Sequence, residues 1–292
     1  MSAAVRDLAI TFAGGGNRAF YQLGLLNRWG SRLMDRVGAV ASVSAGACAI
    51  VIYLTGREHQ TNAFWRARRA HVTRNFEWRR MLRGQRPAPH GDVLRDTMMF
   101  ALEDGGLDRV REAPFPIHIL TSRFPPLVPS GLAVAGGIGA YQLEKHVRRR
   151  MVHPRFGRAL GFRPLAVDAR ACETPEELTT LILASSATPP FTPVGRFRGE
   201  RLLDGGLVDN VPAFIIDGAP GIRRNLVLLT RPYPAGSIGQ RGDRLYIAPS
   251  EPVPISRWDY TRPELLDETI AMGEREADLY APLLEAFLAG PE

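Results

Sequence analysis

The apolar run Leu8–Phe12 breaks off at Ala13 into three consecutive glycines, and a helical pattern of apolar residues begins directly after them. A run this short with two-sided apolar character reads as a buried strand, and the glycines let the chain turn tightly into a helix. The arrangement recurs. Residues 39–43 read as a second strand entered through Gly38. Ser42-Val43-Ser44 then leads into Ala45–Leu54, which is almost wholly apolar and is expected as a buried helix closed by Gly56. Strand–turn–helix units in succession demand a mainly parallel sheet with helices on its faces, so the expected class is a three-layer α/β fold. In such sheets, sites collect where strands end.

The rest of the chain follows the same rhythm. A helix is expected over residues 18–29 with Gly30 as its stop, and helical structure over the arginine-rich residues 58–90. Strands are expected over 114–122, 165–167, 201–203, 226–230 and 245–248. Residues 123–140, with three prolines and four glycines, read as a loop or lid. Thr174-Pro175-Glu176-Glu177 combines a capping threonine, a proline at the first helical position and a capping-box glutamate. The last helix is expected over 263–288. One domain is expected over 1–292, its core over about 8–217 and its closing strands and helix over 225–288.

Two cysteines, Cys48 and Cys172, neither make a disulfide framework nor share a metal-type spacing; no metal and no cofactor are expected. No run of about 20 apolar residues and no secretion-type leader is evident, so a cytoplasmic address is expected, peripheral contact with a membrane and secretion without a signal being left open. The net charge of +7 favours anionic partners, yet Lys145 is the only lysine among 37 basic residues, a skew that coding bias also produces.

Three places carry candidate chemistry. Gly14-Gly15-Gly16-Asn17-Arg18 can present backbone N–H groups to an oxyanion or a phosphate. Gly14, Gly16 and Ala19 also satisfy a dinucleotide fingerprint, whose acidic partner Asp35 stands before, not after, the second strand. Ser44 with Ala45 and Gly46 has the context of a nucleophile elbow, its first glycine replaced by Ser42; a serine cap on a buried helix is the plainer reading. Asp204 follows an apolar strand and is backed by Gly205 and Gly206, with Asn210 and Pro212 beyond; an ordinary Asp-Gly turn is the plainer reading here. Asp104-Gly105-Gly106 follows a helical stretch and is read as its end. All six histidines, His59, His71, His90, His118, His146 and His153, precede Asp204, and no motif surrounds any of them. None follows Asp204, so a Ser–acid–His order would need an acid ahead of one of these histidines; a carboxylate can also act directly on serine if it comes within hydrogen-bond range.

Together these sites resemble the patatin-like phospholipase family, over about residues 8–284. Residues 184–193 are similar to a family segment upstream of the catalytic aspartate, and Gly273 with Asp278 is similar to part of its C-terminal helix. Ala13, Ala19 and Ser42 depart from the usual pattern. The resemblance implies a patatin-like α/β/α fold and hydrolysis of lipid acyl esters (a phospholipase A or related acyl hydrolase) by Ser44 and Asp204. Gly15, Gly16 and Asn17 would hold the oxyanion, and Gly14 and Arg18 would support that loop. The expected partner is a lipid or acyl-ester substrate, with no nucleic acid. Two rival readings remain: a weak or inactive lipid-binding or regulatory protein on the same fold, and a nucleotide-binding protein using the glycine loop. Eight arginines between residues 66 and 86, interleaved with Phe76 and Trp78, read either as a patch for anionic lipid or as a solvated helix whose arginine stems pack on the core.

Overall fold

The computed structural model describes residues 6–77, 79, 82, 87–126, 139, 151–153 and 156–290. Its nine strands are β1 (Leu8–Phe12), β2 (Val37–Val43), β3 (Ile117–Arg123), β4 (Arg163–Asp168), β5 (Gly195–Phe197), β6 (Glu200–Asp204), β7 (Arg224–Leu228), β8 (Gly239–Arg241) and β9 (Arg244–Ile247). They form one mixed sheet in the order β5-β6-β3-β2-β1-β7-β9-β8, with β4 also paired to β3. The middle five strands, β3, β2, β1, β7 and β9, are parallel to their neighbours, as the strand–helix alternation requires. The remaining strands join antiparallel.

The helices flanking the sheet are α1 (Phe20–Leu33), α2 (Ala45–Leu54), α3 (Glu58–Arg69), α4 (His90–Leu102), α5 (Gly106–Arg111), α6 (Phe156–Ala159), α7 (Pro175–Ser185) and α8 (Glu264–Ala289). Leu8, Ile10 and Phe12 of β1 point to the face where α1, α2 and α8 complete the main apolar core. Ala9, from the other face, joins Ala39, Ala41 and Ile216 in a thinner cluster. Thr174 caps α7 by accepting the Glu177 N–H, as its sequence signature requires.

Two expectations need correction. Gly30 does not end α1, which runs on to Leu33. A Cβ at Gly30 would strike the Tyr53 ring of α2, so its glycine serves helix packing rather than termination. The helix expected over 58–90 stops at Arg69. Asn75, beyond that end, accepts the Tyr260 N–H on its Oδ1 at 2.6 Å; Arg79 is helical between residues outside the described ones, and a further helix begins at His90. Asp104 and Gly105 turn the chain between α4 and α5 with φ of 49° and 76°, in keeping with the helix end read there. Of the expected loop over 123–140, residues 127–138 and 140 lie outside the described residues, as do Trp78, Arg80, Arg83 and Arg86 of the arginine stretch.

Several described arginines of that stretch serve the fold. Arg66 pairs with Asp267 of α8 and Arg68 with Asp96 of α4. Arg69 is 1% exposed; its Nη2 donates to the Asp259 carbonyl at 2.6 Å and its Nε to the Tyr260 carbonyl at 3.2 Å. Replacing Arg69 by Ala removes two hydrogen bonds from a buried charged donor and leaves both carbonyls without it. The expected loss is about 3 kcal/mol of stability, read from urea unfolding. A loss within experimental error of zero would show that water substitutes freely for the guanidinium. Among the described residues no helix is long and apolar enough to cross a membrane.

Candidate active site

One strand edge assembles the central pair. β2 runs parallel along the first half of β3, with Val43 opposite Leu120. β6 runs antiparallel along the second half, with Asp204 opposite Thr121. β4 occupies the other edge over 118–123. β2 and β6 therefore share one edge and point at each other, and their C-terminal ends meet where Leu120 gives way to Thr121. Ser44 leaves one end and Asp204 the other, and Ser44 Oγ donates to Asp204 Oδ2 at 3.2 Å.

The turn at Ser44 is held in a strained state. Its φ of 53° and ψ of −128° lie in a region L-residues rarely adopt, at a cost of about 1–3 kcal/mol. The surroundings over-determine it: the Ser44 N–H donates to Ser185 Oγ at 2.8 Å, Ser185 Oγ donates to the Leu120 carbonyl at 2.6 Å, and the Ala47 N–H binds the Ser44 carbonyl at 3.0 Å. Although Ser44 stands at the N-cap of α2, its hydroxyl makes no capping bond, which removes the plainer reading of that residue. Ser42, in place of the usual glycine, is accommodated because its hydroxyl binds the His118 carbonyl at 3.1 Å. Ala45 and Gly46 open α2, as expected.

Asp204 uses its two oxygens separately. Oδ1 accepts the Gly206 N–H at 2.7 Å, the bond of an Asp-Gly turn, while Oδ2 faces Ser44. A Cβ at Gly205 would strike the Leu120 carbonyl, the close approach anticipated from its glycines. Burial pushes the Asp204 carboxyl up to about 6, opposed by the hydrogen bonds from Gly206 and Ser44. A carboxylate with that affinity for a proton is a better base than an exposed one. The neighbouring thiol of Cys48 is pushed up to about 12 by burial, which leaves it protonated and unreactive.

The glycine loop faces this pair. Gly14 and Asn210 clasp each other, Gly14 N–H to Asn210 O at 3.0 Å and Asn210 Nδ2 to Gly14 O at 2.8 Å; Thr230 Oγ1 adds a bond to the same Gly14 carbonyl at 2.9 Å. Arg18 Nε binds the Gly15 carbonyl at 3.2 Å, so Arg18 supports the loop through a hydrogen bond. Gly16 takes φ of 58°, which a side chain would disfavour. Among the described residues no hydrogen bond claims the amides of Gly15 or Gly16. Asn17 differs from the expectation: its N–H donates to the Arg257 carbonyl at 3.1 Å and its Nδ2 to the Asp259 carbonyl at 2.6 Å. That amide is spent on structure and is withdrawn as an oxyanion donor. Asp35 is exposed, between α1 and β2, by the start of β1 rather than the end where the glycine loop lies. The dinucleotide reading thus lacks its acidic residue at the site.

Ser44, Asp204, Gly15 and Gly16 open into a cavity of about 160 Å³ whose inner wall is apolar, including Phe20, Leu23, Ile52 and Met98. The arrangement can hold an apolar chain beside a serine hydroxyl, a buried carboxylate and two amides that no other described group claims. The sequence marks neither Ser185, Thr230 nor Arg257 as holding the elbow and the glycine loop. Ser185 was at least signalled, lying in residues 184–193; nothing marked Arg257.

Over residues 10–217 the sequence matches the family described as patatin-like phospholipase. No curated protein matches it. Among solved structures, VipD from Legionella pneumophila is similar at a TM-score of 0.44 and 12% identity, over 97% of this chain and 67% of that one.

Proposed function

Because the chain belongs to the patatin-like phospholipase family, whose activity is lipid acyl hydrolysis, we propose that it cleaves carboxylic esters of lipids with Ser44 as nucleophile and Asp204 as base. The observation that carries this reading is the 3.2 Å contact from Ser44 Oγ to Asp204 Oδ2 on a strained elbow. As Ser44 Oγ attacks the ester carbonyl, its proton passes to Asp204 Oδ2. The amides of Gly15 and Gly16 receive the oxyanion, the kind of preorganised donor pair that favours the tetrahedral state. Collapse breaks the ester bond, and Asp204 returns the proton to the leaving alcohol. Water then attacks the acyl-serine, giving its proton to Asp204 and releasing the fatty acid, and the proton returns to Ser44 Oγ.

A fluorophosphonate probe should label the native protein and leave Ser44→Ala unlabelled. Native protein that resists labelling would point instead to a lipid-binding or regulatory role on this fold. The mechanism leaves no task for a histidine. His90 bonds to Tyr260 in the cavity wall, and His153 bonds to Asp209 and Tyr246. Replacing each of the six by Gln should keep kcat on a soluble ester within about tenfold. A folded variant losing more than about 10³-fold, the size of a triad effect, would restore a histidine mechanism.

A further inference from the structure

Past the residues that match the family, β7 runs parallel to β1 along its whole length, from Leu8 opposite Arg224 to Phe12 opposite Leu228. Two residues later the chain brings Thr230, 3% exposed, against the glycine loop. Its Oγ1 donates to the Gly14 carbonyl at 2.9 Å, and Asn210 Nδ2 donates to the same oxygen at 2.8 Å. A carbonyl accepts on two lone pairs, so this one is fully engaged. Thr230 also backs the next residue: a Cβ at Gly15 would strike its Oγ1, Cβ and Cγ2. The same turn touches the elbow, since a Cβ at Gly14 would stand 3.4 Å from Ser44 Cβ.

The direction of these carbonyls sets the direction of the amides. A trans peptide is planar, and its C=O and N–H point opposite ways. Thr230 and Asn210 hold the C=O of the Gly14–Gly15 peptide and so turn the Gly15 N–H away from themselves. Arg18 Nε holds the Gly15 carbonyl at 3.2 Å and turns the Gly16 N–H in the same manner. Among the described residues no hydrogen bond claims either amide, and both glycines line the cavity that holds Ser44 and Asp204. Held by Asn210 alone, the Gly14 side of this peptide could swing about one side-chain contact. The second donor stops that swing, and it follows a strand paired in register with the one that launches the loop. A donor fixed to the sheet keeps the amide within the narrow angular range that oxyanion binding needs.

We propose that Thr230 is a positioning residue for ester hydrolysis: through the Gly14 carbonyl it aims the Gly15 N–H at the oxyanion of the tetrahedral state. This rests on the hydrolase reading above, and the aiming of the amide can be measured apart from turnover. Thr230→Val keeps the size and branching of the side chain, deletes the donor and sets a methyl group against the carbonyl. It should lower kcat on a soluble ester about 30-fold and leave KM within about twofold. A misaimed amide is missed by the charge that develops in the transition state, and hardly by the ground-state ester. Thr230→Ser, which restores the hydroxyl, should recover kcat to within about threefold of native. Native kcat in Thr230→Val would overturn the assignment. A Ser variant as slow as the Val variant, or a loss carried mainly by KM, would do the same, because Thr230 would then act by packing alone. Nitrogen-15 relaxation supplies the readout that needs no turnover. The Gly15 amide should have an order parameter of about 0.85 in the native and Thr230→Ser proteins, falling below about 0.6 in Thr230→Val. A Gly15 amide equally ordered in all three would overturn the assignment whether or not the protein cleaves esters. The stated change in order, joined to absent turnover and absent fluorophosphonate labelling of the native protein, would sink the hydrolase reading while the hold of Thr230 on Gly15 stands.

Discussion

Replacing Ser44 by Ala, or Asp204 by Asn, is expected to lower kcat/KM for ester hydrolysis by at least about 10⁴-fold, and the double variant to fall little further. Ser44→Ala removes the attacking oxygen. Asp204→Asn keeps the shape and the bond from Gly206, but a carboxamide cannot take the serine proton. Because the two side chains form one proton-transfer unit through a single contact, their losses should not add. The measurement is steady-state hydrolysis of a soluble ester, with circular dichroism to confirm the fold. Asp204→Asn retaining a tenth of native activity would place the base elsewhere. Two independent losses that multiply in the double variant would break the unit apart.

The second large effect is on pH. Asp204 must be ionised to accept a proton, and burial holds its carboxyl at about 6. Activity should be level well above that point and fall tenfold per pH unit below it, to about one-hundredth of the plateau at pH 4. An imidazole base could titrate nearby, but the two respond oppositely to a water-miscible co-solvent. A carboxylic acid creates charge as it ionises, so a less polar medium moves its limb to higher pH; an imidazolium conserves charge and does not follow. A limb that moves to lower pH would remove Asp204 as the base. Stability carries the opposite sign. A carboxyl raised above its ordinary 3.8 favours the folded state when protonated, and that contribution is lost as pH rises through about 6. Above it the ionised group opposes folding by up to about 3 kcal/mol, so Asp204→Asn should resist urea better than the native protein at pH 8.

The sequence carried the fold class and the central pair because both are local statements. An apolar run followed by small residues marks a strand that must turn sharply, and α2 begins and ends where that reading put it, at Ala45–Leu54. Ser44 and Asp204 each announce themselves by their own neighbours. What could not be read depends on distant partners. Gly30 looks like a helix stop until Tyr53 is seen against it. Asn17 looks like an oxyanion donor until the carbonyl of Arg257 takes its amide. Ser185, which anchors the Ser44 amide, is one of two adjacent serines, and nothing local separates it from Ser186. The arginine stretch, interleaved with aromatics, left both a lipid surface and a solvated, core-packed helix open to a sequence reading, while Asp96, Asp267 and the carbonyls of 259 and 260 claim part of it.

On the proposed mechanism, the meeting of β2 and β6 at the middle of β3 also sets when a growing chain becomes able to cleave lipid. The two partners of the dyad are 160 residues apart, and the later one arrives with the strand that completes the shared edge. At about 5–20 residues per second, synthesis leaves the serine without its base for on the order of 10 s, time in which the earlier part of the chain can already begin to fold. A nascent or prematurely ended chain that stops short of β6 carries a nucleophile that nothing deprotonates. On the proposed mechanism, lipolytic competence is thus withheld from such fragments by topology.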